Sequence, residues 1–124
     1  MSYRVTKEKF AELAEAALAD IPRAFKKRLE NISIIVEDFP SREDARGVGA
    51  TRRNLLGLFA GAGYPHKSNF FGPLPMPDKV FLYQRNIERQ CSSEAELAEE
   101  IRKTLVHELG HYFGLSEEEL HQYE

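Results

Sequence analysis

From Thr6 onward, apolar residues recur at three- and four-residue intervals: Phe10, Leu13, Ala14, Ala17 and Leu18. That spacing predicts a helix with one buried stripe, started by Thr6 as its cap. Asp20-Ile21-Pro22 interrupts the stripe. Proline is well tolerated at a helix start, so a second short helix is expected through about Leu29, with Ile21, Phe25 and Leu29 turned inward. After Asn31 the period changes. Ile32-Ser33-Ile34-Ile35-Val36 is nearly continuous in apolar residues, which predicts a central strand buried on both faces. Glu37 and Asp38 read as solvated acids leading into the Phe39-Pro40 turn. Ser41 to Arg46 predicts a turn of helix capped by Ser41. Leu55-Leu56-Gly57-Leu58-Phe59-Ala60 reads as a second strand, weakened by Gly57, and a glycine there marks a bulge, an edge or a close backbone approach. Lys79 to Gln84 is a third strand, with Ile87 continuing the packing. The connection before it, Gly61 to Pro77, is dominated by Gly, Pro and Asn, and a connection of that length is usually functional or mobile.

The last third of the chain carries the strongest helical pattern. Ser93-Glu94-Ala95-Glu96 reads as a capping box, and no proline follows before Gly114, which supplies a left-handed stop. Leu97, Ala98, Ile101, Leu105, Leu109 and Tyr112 project onto one arc. His107 and His111 fall on its flank, four residues apart and so about 6 Å apart along the axis. With Glu108 they form H-E-x-x-H. Two imidazoles at that spacing can hold one Zn²⁺, and the glutamate between them can take a proton from a water on the metal. Spacing, caps and facing agree, which separates the motif from two exposed helix histidines. Ser116 with Glu119 forms a second capping box that starts a short last helix. His66, alone in the Gly/Pro/Asn stretch, is a weaker ligand candidate.

Composition narrows the picture without redirecting it. The chain has 124 residues, enough for one domain over 1–124, and its 42% hydrophobic and 30% charged content is that of an ordinary globule. A net charge of −3 gives no global field for nucleic acid. The clusters Lys26-Lys27-Arg28 and Arg52-Arg53 read as solvated faces. A single cysteine, Cys91, rules out an internal disulfide, suits a reducing compartment and reads as a structural thiol. No apolar run reaches transmembrane length, and Met1 to Phe10 lacks the apolar core of a secretory leader. The expected location is the cytoplasm, with no membrane partner.

In the order helix, strand, strand, strand and H-E-x-x-H helix, the sequence resembles the minimal zincin-like metallopeptidases of bacteria. The resemblance runs from about Phe10 to His121. Its carriers are Ala16-Ala17-Leu18 with Ile21-Pro22, Ile35-Val36-Glu37-Asp38, Leu55-Leu56-Gly57-Leu58-Phe59, and, most specifically, Thr104 to Glu117. It implies an α+β fold, a three- to four-stranded mixed sheet packed on helices with the active-site helix near the C-terminus. It also implies that His107 and His111 are zinc ligands, that Glu108 is the catalytic acid/base, and that Gly114 turns the chain to return a third ligand. The family motif, H-E-x-x-H-x-x-G-x-x-D, has aspartate at that third position; this chain has Glu117. Its carboxylate is one methylene longer and can still reach a metal. An acid in the first turn of a capped helix is also favoured by the helix dipole with no metal at all. His121 is the alternative ligand. The 13 residues after His111 leave no room for the lower subdomain of larger zincins.

The expected activity is zinc-assisted hydrolysis of a peptide or protein, with Glu108 as general base. Zincins usually bind substrate as an added strand. Leu55, Gly57 and Leu58 are the candidate substrate edge, because Gly57 leaves room and the backbone can pair with an extended peptide. The sequence singles out no residue to stabilise the oxyanion, and nothing in it selects among Tyr64, His121 and Tyr123. Two rivals remain open: a zincin-like module that binds zinc with little or no turnover, acting in protein interaction or metal sensing, and a closed structural site that would need a fourth donor such as His66 or His121.

Overall fold

Thr6 starts the first helix through its side chain. In the computed structural model, which describes residues 3–26, 32–60 and 78–121, the Thr6 hydroxyl accepts from the Lys9 N–H at 3.1 Å. Helix α1 (Lys7–Ala19) follows, with Phe10, Ala14 and Ala17 buried. A four-residue α2 (Arg23–Lys26) comes after Pro22, and Ile21 and Phe25 turn into the core. Leu29 lies outside the described residues, as does the whole connection from Gly61 to Pro77.

Among the described residues three strands form one mixed sheet: β1 (Ile32–Glu37), β2 (Gly57–Ala60) and β3 (Asp78–Tyr83), in the order β1-β3-β2. β1 runs parallel to β3, with Ile34 opposite Val80, and β2 runs antiparallel to β3, with Phe59 opposite Val80. The central strand is therefore β3, and β1 is an edge among the described residues. The apolar run of β1 reports its packing on the core, where Ile32, Ile34 and Val36 sit, and it carries no information about how many neighbours the strand has. β3 is the more deeply buried, with Val80, Leu82 and Tyr83 at 0% exposure.

The row Ile34, Val80 and Phe59 and the row Val36, Leu82 and Gly57 face the helical layer. That layer is α1, lying on β1, and α5 (Glu94–Tyr112), lying on β2 and β3. Leu97, Ile101, Leu105 and Leu109 of α5 are fully buried. Each contributes roughly 1.5–3 kcal/mol by leaving water, which is what fixes the helix to the sheet. The fold is α+β, as the resemblance implied. Two short helices complete it at the sides: α3 (Arg42–Gly47), capped by Ser41, and α4 (Gln84–Glu88), which follows β3 without a break. A last helix, α6 (Glu117–His121), begins after Ser116.

Candidate metal centre and substrate groove

Both ends of α5 are set by the residues that the sequence marks. The Ser93 hydroxyl accepts from the Glu96 N–H at 3.1 Å, and the Glu96 carboxylate reaches back to the Ser92 N–H at 2.8 Å. At the other end Gly114 adopts φ +77°, its N–H donates to the His111 carbonyl at 3.0 Å, and the Leu115 N–H donates to the Gly110 carbonyl at 2.9 Å. This αL closure satisfies the last carbonyls and redirects the chain toward α6. Tyr112 stacks on Phe59 of β2, with centroids 4.1 Å apart, so the last turn of α5 is fastened to the edge of the sheet.

On that helix the His107 and His111 rings lie 4.3 Å apart between centroids, inclined by 43°. His107 is half-buried and His111 is exposed. Glu108 turns the other way, onto β2. Just before that strand Leu56 accepts from the Tyr83 N–H at 2.9 Å, and within it Leu58 pairs with Phe81, so Phe59 directs its N–H away from β3. The Glu108 Oε1 takes this outward N–H at 3.2 Å. Burial pushes the Glu108 carboxyl up to about 7, against the pull of the His111 charge and the Phe59 N–H, which lower it.

Gly57 makes the contact between α5 and β2 possible. A Cβ at this position would lie 2.8 Å from the Thr104 Cγ2, 3.1 Å from the Phe81 carbonyl oxygen and 3.4 Å from the Glu108 Cγ. The Thr104 hydroxyl bonds back to the Glu100 carbonyl at 2.8 Å, which leaves its methyl group toward the glycine. The expected room at Gly57 is thus filled by α5. It is a close-approach glycine, and the approach delivers Glu108 to the strand.

A groove follows this seam. Leu55, Gly57 and Glu108 line both of its halves. The half beside His111 is about 310 Å³ and mainly apolar, walled by Val48, Leu58, Phe59 and Tyr112. The half beside His107 is bounded by Leu56, Glu100, Lys103 and Thr104. Leu55, Gly57 and Leu58 therefore all line the groove beside the H-E-x-x-H residues, although Leu55 precedes the strand itself.

Two imidazoles one helical turn apart are a suitable pair of donors for zinc, and a carboxylate held off to one side suits a base better than a ligand. Among the described residues, no group of three His, Cys, Asp or Glu side chains converges on one point. Glu117 opens α6, but its side chain lies outside the described residues, as do His66, Tyr64 and Tyr123. His121 is exposed at the end of α6 and joins no such group. Cys91 is buried, its thiol donates to the Ile87 carbonyl at 3.3 Å, and burial raises it to about 11, so it is a packed thiol rather than a ligand.

The sequence reading missed α4. Asn86, 1% exposed, donates to the carbonyls of Arg52 and Leu55, both at 2.8 Å. Its Oδ1 accepts from Arg89, which also donates to the Arg53 carbonyl at 3.0 Å. Three carbonyls of the 52–55 turn are therefore held by two side chains. Since Leu55 lines the groove and β2 starts two residues later, Asn86 holds the backbone that leads into the candidate substrate edge. The only sequence signal was the run of polar residues around Ile87, which gives no hint of distant partners.

A helix bearing H-E-x-x-H, packed across the edge strand of a small mixed sheet, defines a zincin-type module. The family model for zincin-like metallopeptidases matches residues 29–124, and the chain belongs to that family. Among solved structures it is similar to a conserved hypothetical protein from T. thermophilus, with 26% identity and a TM-score of 0.60. The match covers 88% of this chain and 94% of that one, so the likeness extends across the sheet and the helices together. No curated protein matches. No helix among the described residues is long and apolar enough to cross a membrane.

Proposed function

We propose that the protein is a zinc-dependent metallopeptidase in which His107, His111 and Glu117 hold the ion and Glu108 is the general base. The observation that carries this reading is the position of Glu108. It extends from between the two imidazoles to the outward N–H of an edge strand, at the waist of a groove. Zinc held there would supply a Lewis acid and a water of lowered pKa. The rest is the work of the chain's own groups. An extended peptide pairs with the edge of β2, and its carbonyl replaces Glu108 on the Phe59 N–H. The released carboxylate accepts the proton of the attacking water and passes it to the leaving amine. Burial, which holds its carboxyl near neutrality, suits it to both transfers. Leu58, Phe59 and Tyr112 keep the apolar half of the groove free of bulk water.

A binding module with little turnover draws on the same hydrogen bond, since the Glu108–Phe59 contact occupies both the base and the amide that a substrate needs. Incubation with a peptide library separates the two readings. The enzyme reading expects cleavage that a chelator stops and zinc restores. Saturable peptide binding with no cleavage at any zinc concentration would leave the binding module.

A further inference from the structure

Away from the groove, the structure gathers residues that the sequence scatters. Arg4, Arg53, Arg85 and Arg89 line one open cavity of about 350 Å³ together with Asp38, Glu88 and Phe39. Four guanidiniums face two carboxylates, on a chain whose net charge is −3. The two acids are already engaged. Glu88, 1% exposed, accepts from Arg85 at 2.8 Å, from the Val5 N–H at 2.9 Å and from Gln84 at 3.0 Å. Asp38 lies 3.6 Å from the same Arg85. Both therefore hold Arg85 in place. Arg89 is held by the Asn86 Oδ1 and the Arg53 carbonyl, neither of which carries a formal charge. Among the described residues no carboxylate pairs with Arg4, Arg53 or Arg89.

A local excess of guanidinium charge on an acidic protein attracts anions, and the planar fork of arginine matches phosphate oxygens in pairs. The cavity adds an aromatic face. Phe39, 37% exposed, is one of two large hydrophobic residues left exposed among the described residues, and it forms part of the wall. We propose that this cavity is a binding site for a phosphate monoester that carries an aromatic ring. The phosphate sits among Arg4, Arg53 and Arg89, and the ring rests on Phe39. Arg85 and Glu88 form the rigid floor. Because Arg53 belongs to the turn that leads to Leu55 and Arg89 is hydrogen-bonded to that turn, an occupant would tighten the approach to the groove.

Calorimetric titration of the full chain at constant ionic strength tests this, with adenosine monophosphate, phosphotyrosine, inorganic phosphate and adenosine as probes. At least one of the two ring-bearing monoesters should bind with one-to-one stoichiometry and more tightly than inorganic phosphate, and adenosine should not bind. Which monoester binds distinguishes a nucleotide source from a phosphorylated side chain. Arg4→Gln with Arg53→Gln removes two exposed side chains and should weaken binding about tenfold or more. Phe39→Ala should reduce the ring-bearing ligands to the affinity of phosphate alone, and Lys103→Gln, in the groove, should change nothing. Binding should persist in His107→Ala, which separates this cavity from the metal centre. The proposal is overturned by absence of saturable binding, by equal affinity in the double variant, by indifference to Phe39→Ala, or by loss in His107→Ala.

Discussion

Replacing Glu108 by glutamine should make the metal-free protein more stable at alkaline pH, and the structure sets the size of the effect. Burial raises this carboxyl from 4.5 to about 7. Between those values the native state holds a proton that the unfolded state has lost. The contribution of the group to stability therefore falls as pH rises through that window, and above it the full cost of a buried charge is present. Each pH unit of the gap corresponds to about 1.4 kcal/mol, so the cost is at most about 3 kcal/mol at pH 8. Glutamine keeps the shape and the acceptor for the Phe59 N–H but carries no charge; its amide hydrogens, poorly matched to a site built for a carboxylate, offset part of the gain. Urea unfolding in the presence of a chelator, at pH 4, 6 and 8, gives the comparison. The two proteins should have similar stability at pH 4 and diverge as pH rises, with the variant ahead by roughly 1–3 kcal/mol at pH 8. A difference that stays constant with pH, or a variant that is less stable at pH 8, would refute the reasoning.

Three further substitutions probe the framework. Asn86→Ala strands the Arg52 and Leu55 carbonyls, so thermal and urea unfolding should show a loss of about 1–3 kcal/mol. Peptide KM should rise while zinc affinity stays at the parent value, and Asn86→Asp should not rescue it because it lacks the donors. Gly57→Ala brings a methyl group within 2.8 Å of Thr104, which should cost about 1–3 kcal/mol; Thr104→Ser should recover part of this, a coupling that a double-mutant cycle measures. Glu117→Ala should weaken zinc binding about tenfold or more in competition with a chromophoric chelator, whereas Glu118→Ala should leave it near the parent value and Glu117→His should retain it.

What the sequence made legible is what short-range chemistry encodes. Ser93, Glu96 and Gly114 fix the ends of α5, and a four-residue interval puts His107 and His111 on one flank whatever the rest of the chain does. The strand around Gly57 was legible as an edge, but the reason for the glycine was not, because it depends on Thr104 and Glu108 arriving from another element. The placement of β1 failed for a related reason. An apolar run reports burial, whereas sheet order depends on which strands pair. The short α4 was hidden more completely. It has one apolar residue, Ile87, and its buried polar side chains meet partners distant in sequence: Asn86 the Arg52 and Leu55 carbonyls, Gln84 the Val5 carbonyl, and Glu88 the Val5 N–H. The grouping of Arg4, Arg53, Arg85 and Arg89 was invisible for the same reason, since Arg52-Arg53 by itself reads as a solvated pair.

The most direct test of the account compares the zinc-loaded parent with zinc-loaded Glu108→Gln, measuring bound metal and peptide cleavage on the same samples. Glu108 directs its carboxylate to the Phe59 N–H at the sheet edge, and its proposed role is to move a proton and not to hold the ion. Both proteins should therefore bind one zinc with similar affinity, while cleavage falls by a factor of about 100 or more in the variant. Equal cleavage by both at equal zinc occupancy would contradict the mechanism, and loss of zinc from the variant would make Glu108 a ligand and the assignment of the site wrong.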